Sequence, residues 1–299
     1  MQSVTNLSIV VPLHEDSKSF ESTLLSVLEN QTTDTEIVVV HDGSYDDPFD
    51  LSDVVKFVRS TSDVLVDMIG TALSACTSDL VHILGAGFHA TPDWTTPAVN
   101  SFAGHGIGAV APVIRDRQRG NVITAGWSDG RRLMTAVGNG QKNISPAELT
   151  NVEGVFLQAS FWRREILRKA LVAASFRDME ATSYAIAKLC QTRGWSATVS
   201  PESIIHIEQG SLESSSSRSR GIRLGAIAQA LDTNAYVPTL LDCLKSATKR
   251  DVFAEMRGRR SCQAQVRKVR AQIDIDLVPA FDSRLSISTA SESSYRRAA

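Results

Sequence analysis

No stretch of the chain approaches the ~18–20 uninterrupted apolar residues that a membrane-spanning helix needs. No basic segment or long apolar run precedes the first strand, so a secretory leader is not expected. Cysteine is scarce: Cys76, Cys190, Cys243 and Cys262 are far apart and form no Cys-x-x-Cys pair. That argues against a zinc site or a disulfide framework and suits a reducing compartment. Charge of one sign is also lacking. A net charge of -2 exerts no overall pull toward nucleic acid or acidic membranes. The first strand is followed by Pro12-Leu13-His14-Glu15 rather than Gly-x-Gly-x-x-Gly, which excludes a dinucleotide-binding fingerprint. There is no internal repeat. A cytoplasmic protein with no nucleic-acid partner is expected.

What is present is strand alternating with helix. Leu7–Pro12 and Glu36–Val40 are continuous β-branched runs, the pattern of strands buried on both faces. An amphipathic helix over Lys18–Asn30 separates them, with Phe20, Leu24, Val27 and Leu28 on one stripe. Further strands are expected at Val54–Val58, Leu80–Leu84 and Gly106–Ile114, with a helix over Asp63–Cys76. Residues 115–140 read as loop and turn. Phe161–Glu165 reads as a helix start, and Thr182–Arg193 as a helix ended by Gly194. Thr198–Val199 and Ile204–Ile207 look like a closing strand. This alternation predicts an α/β fold with a doubly wound, mainly parallel sheet.

The chain is organised around Thr77–Trp94. A Thr-Ser-Asp turn leads into the apolar strand Leu80–Leu84, which stops on Gly85-Ala86-Gly87. A helix is expected to restart at Thr91-Pro92-Asp93, with Pro in its first turn and Asp93 favoured there by the helix dipole. Ligands of open α/β sheets bind beyond the carboxyl ends of strands, so residues after Leu84 should border a site.

Taken together, these motifs resemble the family-2 glycosyltransferases, which have a GT-A fold. The opening strand Leu7–Pro12 and the strand Glu36–Val40 running into His41-Asp42-Gly43-Ser44 match its first half, with His41 where the family has an Asp. Thr77-Ser78-Asp79, the following strand and Pro92-Asp93-Trp94 match its centre. Phe161–Leu167, Arg193-Gly194-Trp195 and Pro201–His206 match its second half, in the same order. The resemblance implies a GT-A-like domain, taken as residues 1–235, and composition adds a basic helical extension over 236–275 and a Ser-rich, disordered tail over 276–299. It implies a nucleotide-diphosphate sugar as donor and a glycan or glycoconjugate as acceptor, in polysaccharide assembly. Pro12, His41, Asp42, Ser44, Gly85 and Gly87 are then expected to border the nucleotide.

Such a transfer needs the leaving diphosphate neutralised, usually by a cation on carboxylates, and a base for the acceptor hydroxyl. The family's Asp-x-Asp is here Gly85-Ala86-Gly87, which has no side-chain donor, so no metal ligands are assigned. Mg²⁺ or Mn²⁺ would need ligands from elsewhere, with His89, Asp93 and His206 as the nearby candidates. Counting back from Gly194, the family's Glu-Asp pair falls on Thr182-Ser183, which leaves Asp178 and Glu180 as candidate bases. Two expectations follow: a transferase with reduced or altered metal dependence, or a catalytically silent relative serving as a binding or scaffold protein.

The remaining candidates have plain alternatives. Asp42 and Ser44 suit a strand-end turn as well as a nucleotide, and His41 suits a strand cap as well as a base. Gly85 and Gly87 could cradle phosphate through backbone N–H groups or merely form a tight turn. Arg163 and Arg164 could face phosphate or form ion pairs. Trp127, in a loop, is the best sugar-stacking candidate of the four tryptophans. The serine run at 214–219 reads as a loop. Tyr236–Leu244 reads as a short helix. Residues 245–270, with nine Lys/Arg, read as a solvated helix that Gly258 weakens, or as a peripheral contact with anionic lipid or a protein partner.

Overall fold

The computed structural model describes residues 7–14, 16–32, 34–45, 47–129, 133–208, 212, 214–231, 239 and 250–282. The two β-branched runs form the middle of a sheet. Leu7–Pro12 (β1) and Thr35–His41 (β2) pair in parallel, from Leu7 opposite Thr35 to Pro12 opposite Val40. Every residue of β1 is buried, which is why its sequence does not alternate. Lys56–Arg59 (β3) lies parallel beyond β2, and Leu80–Leu84 (β4) lies parallel on the other side of β1. Helix α1 (Ser17–Asn30), capped by the Asp16 carboxylate, covers one face with Phe20, Leu24 and Val27. Helix α2 (Leu65–Ala75) covers the other with Val66, Met68 and Ile69.

Phe88–Ala90 (β5), α3 (Thr95–Ser101), Ile107–Asp116 (β6) and the short strands Val122–Thr124 (β7), Trp127–Ser128 (β8) and Thr135–Ala136 (β9) come next. Then follow α4 (Pro146–Leu149), Ala159–Arg163 (β10), α5 (Arg164–Ala173), α6 (Met179–Thr192) and Ser196–Ile207 (β11). The strand order is β3-β2-β1-β4-β10-β6-β11-β5, with β7 on β6. β1 to β4, β6 and β11 share one direction. β10 lies antiparallel between β4 and β6, and β5 antiparallel on β11.

Chain length forces this sheet to curl. Leu84 and Phe88 are four steps apart, so their Cα atoms lie within ~14 Å of each other. Flat strands at ~4.8 Å spacing would put β4 and β5 ~19 Å apart, because three strands intervene. Helix α1 holds the curl shut: Gly87 N–H donates to Thr23 Oγ1 (2.9 Å) and Ala90 N–H to Ser26 Oγ (3.0 Å).

Several local expectations need correction. Phe161–Arg163 is strand, and the helix begins only at Arg164, because Phe161 and Trp162 are buried between β4 and β6. The helix expected from Thr91 starts at Thr95. Asp93 has φ +57°, outside helical geometry, so the helix dipole does not explain it. β3 sits at 56–59 rather than 54–58. Trp127 is fully buried, with Nε1 donating to Val155 O (3.1 Å), and offers no stacking platform. Arg163 and Arg164 donate to the backbone carbonyls of Ile107, Phe102 and Cys76, not to an anion.

The serine run caps a helix. Ser217 opens α7 (Arg218–Ala230), on which α8 (Arg250–Arg260) and α9 (Gln263–Arg270) pack. Gly258 does not weaken α8. It lies against the α7 backbone at Arg218 and Ile222. Nor is the basic stretch simply solvated: Glu255 and Arg259 are buried, and Cys262 and Val269 join the main core. Val278 is buried too, and Trp195 Nε1 donates to Pro279 O (2.8 Å). The helix expected at Tyr236–Leu244 and the tail from 283 lie outside the described residues. Among the described residues no helix is long and apolar enough to cross a membrane.

His82 of β4 carries a pH dependence. It is fully buried, stacked 3.8 Å from the Phe161 ring, with Nδ1 3.1 Å from Ser160 O. Burial pushes its pKa down to about 3 against a weaker upward pull from that carbonyl. The unfolded chain binds a proton there below about pH 6.5 and the folded chain does not, so acid erodes stability by up to ~1.4 kcal/mol per pH unit down to the folded value. Denaturant melts between neutral pH and about pH 5 should show this slope, and His82→Leu should make it shallower. An equal slope in the variant would remove the assignment.

Candidate functional site

The carboxyl ends of β1 and β2 open into a cavity of about 420 Å³ lined by Leu13, His14, Ser17, Asp42, Ser44, Asp63 and Met68. Chain direction brings these residues together, because two parallel neighbours end at the same edge. Asp42 Oδ1 accepts from Ser44 N–H (2.9 Å) and Ser44 Oγ (2.6 Å), which fixes the turn. The Ser44 hydroxyl, then its backbone N–H, holds the Asp42 carboxyl below its ordinary pKa, so it is anionic at neutral pH. Both of these bonds fall on Oδ1. Pro12 is buried at the last position of β1, next to the lining rather than in it. His41 packs edge-on to Tyr45 and Phe57 and does not line the cavity. Asp63 was missed in the sequence. Its only signal was a carboxylate just before α2, at the same sheet edge.

At the neighbouring end of β4, Gly85 and Gly87 form the turn into β5. Gly87 has φ +86°, a conformation that disfavours a side chain, and a Cβ there would meet nothing within 4 Å. Gly85 N–H donates to Gln158 O (2.8 Å) and Gly87 N–H to Thr23 Oγ1. A phosphate taking these amides would have to displace bonds that hold the curl.

The two candidate bases sit apart from this cavity, at the start of α6, and neither lines it. Asp178 is the α6 N-cap: Oδ1 accepts from Ala181 N–H (2.7 Å), Arg223 lies 3.5 Å away, and the side chain is 38% exposed. Glu180 is buried and paired with Arg220 at 2.8 Å. The hydroxyls of Thr182 and Ser183 both bond to backbone: Thr182 with Phe176, Ser183 with Met179 and Leu157.

Comparison with known proteins now decides the family. The model of glycosyl transferase family 2 matches residues 8–168, more than half of the chain's 299. The chain belongs to this family. The solved structures it resembles include GalNAc-T7 with UDP, GalNAc and Mn²⁺ (16% identity, TM-score 0.52), covering 68% of this chain and 43% of that protein. Another is the mannosyltransferase PcManGT of Pyrobaculum calidifontis with GDP-Man and Mn²⁺ (16% identity, TM-score 0.51), covering 89% of this chain and 72% of that one. At such identities the likeness establishes the GT-A fold. This chain spans less than half the length of the first of these structures. None of the curated proteins matches it.

The turn after β4 does not itself supply ligands for a cation of the kind those structures hold. The turn after β4 offers no side-chain oxygen. Among the described residues no group of three His, Cys, Asp or Glu side chains is arranged to bind a metal. His89 and His206 do come together, as direct partners across β5 and β11, but Asp93 is not grouped with them in a ligand set.

Proposed function

We propose that this chain transfers a sugar from a nucleotide-diphosphate donor to a glycan or glycoconjugate acceptor, without relying on a metal held at the turn after β4. The supporting observation is the cavity at the ends of β1 and β2, where Asp42, Ser44 and Asp63 offer hydroxyl and carboxylate groups suited to a nucleoside. Of the two candidate bases, Asp178 fits the role better. It is partly open to solvent, whereas Glu180 is buried against Arg220. Polysaccharide assembly at the inner face of a membrane would suit this reading. Arg257, Arg260, Arg267 and Lys268, all exposed on α8 and α9, are the candidate contact for anionic lipid or a protein partner.

Calorimetry with UDP-, GDP- and dTDP-sugars, in EDTA and in Mn²⁺, tests the donor site. One donor should bind in EDTA, and Asp42→Ala should weaken it about tenfold, the worth of a charged hydrogen bond. Failure of all donors under both conditions, or equal binding by Asp42→Ala, would refute it. The engagement of Thr182, Ser183 and Glu180 by other groups favours a second reading, a donor-binding but catalytically silent protein. Donor binding without turnover over a panel of glycan acceptors would select it. Turnover abolished by Asp178→Ala with donor binding intact would exclude it.

A further inference from the structure

If no acid at the β4 turn holds a cation, some other positive charge must meet the donor's diphosphate. Phe88, Ala90, Ile205 and Ile207 face the core under α1, so the alternating His89 and His206 face the opposite side of the sheet. Arg115 is the partner of His206 on β6, and Arg117 N–H donates to Ile207 O (2.9 Å) just beyond the strand end. His89 is two residues past Gly87, within ~7 Å of it along the chain. Chain length thus keeps His89 near the turn that has lost its acids, and strand pairing sets His206, Arg115 and Arg117 beside His89.

An acid is already seated in this cluster. Glu208 Oε1 lies 3.2 Å from Arg117 Nη1 and 3.7 Å from His89 Nε2. Arg117 and Glu208 are both more than half exposed, at 54% and 63%, so their pairing is weak and easily exchanged. Arg115 donates from Nη1 to Gly120 O and Lys142 O, which anchors its charge beside the cluster. The Asp116 carboxylate accepts from Gln118 and Arg119 N–H in its own turn. Burial first, and then Arg117, holds both imidazoles below the ordinary histidine pKa. Each is then neutral at pH 7 with one N–H to donate.

We propose that Arg117, His89 and His206 form an anion site for the donor's diphosphate, in place of a metal ion, with Glu208 as its displaceable resident carboxylate. This rests on the nucleotide-sugar reading above, but the site itself can be probed without a nucleoside. Calorimetry on the full chain in EDTA would use inorganic pyrophosphate, UDP, GDP and dTDP, and the matching nucleosides.

Pyrophosphate should bind, and the preferred diphosphate should bind more tightly than its nucleoside. Arg117→Ala should weaken both diphosphate probes about tenfold and leave the nucleoside unchanged. Glu208→Gln separates the two kinds of site. It should strengthen pyrophosphate binding severalfold by removing a competing carboxylate, whereas a metal site using Glu208 would be weakened. Equal pyrophosphate affinity in wild type and Arg117→Ala, weaker binding by Glu208→Gln, or binding only with Mn²⁺ would overturn the proposal. Pyrophosphate binding that depends on Arg117, with no nucleotide bound, would keep the anion site and remove the donor reading.

Discussion

Arg220→Met is expected to cost about 3–5 kcal/mol of stability, the usual result of removing one partner from a buried ion pair. Arg220 donates to Glu180 through Nε (2.9 Å) and Nη2 (2.8 Å), to Glu255 through Nη1 (2.6 Å) and to Met134 O (3.0 Å). The three charged side chains are 3%, 4% and 0% exposed, so water cannot replace the guanidinium. Burial opposes the charge on Arg220, but the hydrogen bond to Glu180 and the charges of Glu255 and Glu180 outweigh it and hold the pKa above its ordinary value. Methionine fills much of the same volume and leaves two buried carboxylates with only their more distant cations, Arg223 at 3.5 Å from Glu180 and Arg259 at 3.8 Å from Glu255. Those groups can relieve their buried charge by binding protons that the unfolded chain does not bind at the same pH. The variant's stability should therefore rise as pH falls, and its deficit from wild type should be smaller near pH 5 than near pH 8. Adding Glu180→Gln and Glu255→Gln should recover part of the loss at neutral pH. Guanidinium melts across pH would check both signs. A loss below about 1 kcal/mol, independent of pH, would mean that this network does not hold the helices together.

The contrast between that network and the sheet shows what a sequence discloses. β1, β2 and β4 could be read because burial on both faces demands continuous apolar residues, and the chain supplies them in unbroken runs. β10 could not. It leads straight into α5, with Arg163 at the helix cap, and nothing local marks where the strand stops. β5 has three residues and owes its strand character to β11, more than a hundred positions away. The cavity at the ends of β1 and β2 was half legible. Asp42 and Ser44 follow a strand in a turn-rich motif, whereas Asp63 joins them only through the parallel order of β1, β2 and β3. Arg220 lay hidden in a serine-rich segment that reads as loop. Its partners Glu180 and Glu255 are 40 and 35 residues away, and no periodicity connects them.

Gly258→Leu should be the other severe change, acting through backbone contact instead of charge. A Cβ at Gly258 would stand closer than 3.0 Å to the Arg218 carbonyl oxygen and to the Ile222 nitrogen of α7. Across the same seam, a Cβ at Gly221 would meet the Glu255 carbonyl, and one at Gly225 would lie 2.9 Å from Arg259 Cα. Three glycines thus let α7 and α8 touch backbone to backbone, and no rotamer change can relieve a clash with a main-chain oxygen. Overpacking costs typically 1–3 kcal/mol, and more where the obstacle is rigid. The damage should extend beyond the seam. Moving α8 outward withdraws Glu255 from Arg220, and Arg259 Nη1 from Asp129 Oδ1 at 2.9 Å, whose other oxygen accepts from Tyr184 Oη at 2.5 Å. Hydrogen exchange should accelerate in α7, α8 and the start of α6 together, while β1, β2 and β4 stay protected. Gly70→Ala is the control. It lies within α2 with nothing within 4 Å of its Cβ position, so it should leave stability unchanged or raise it by up to ~1 kcal/mol. If Gly258→Leu melts within about 1 kcal/mol of wild type, α8 can be displaced without loosening α6, and the ion network is not what joins them.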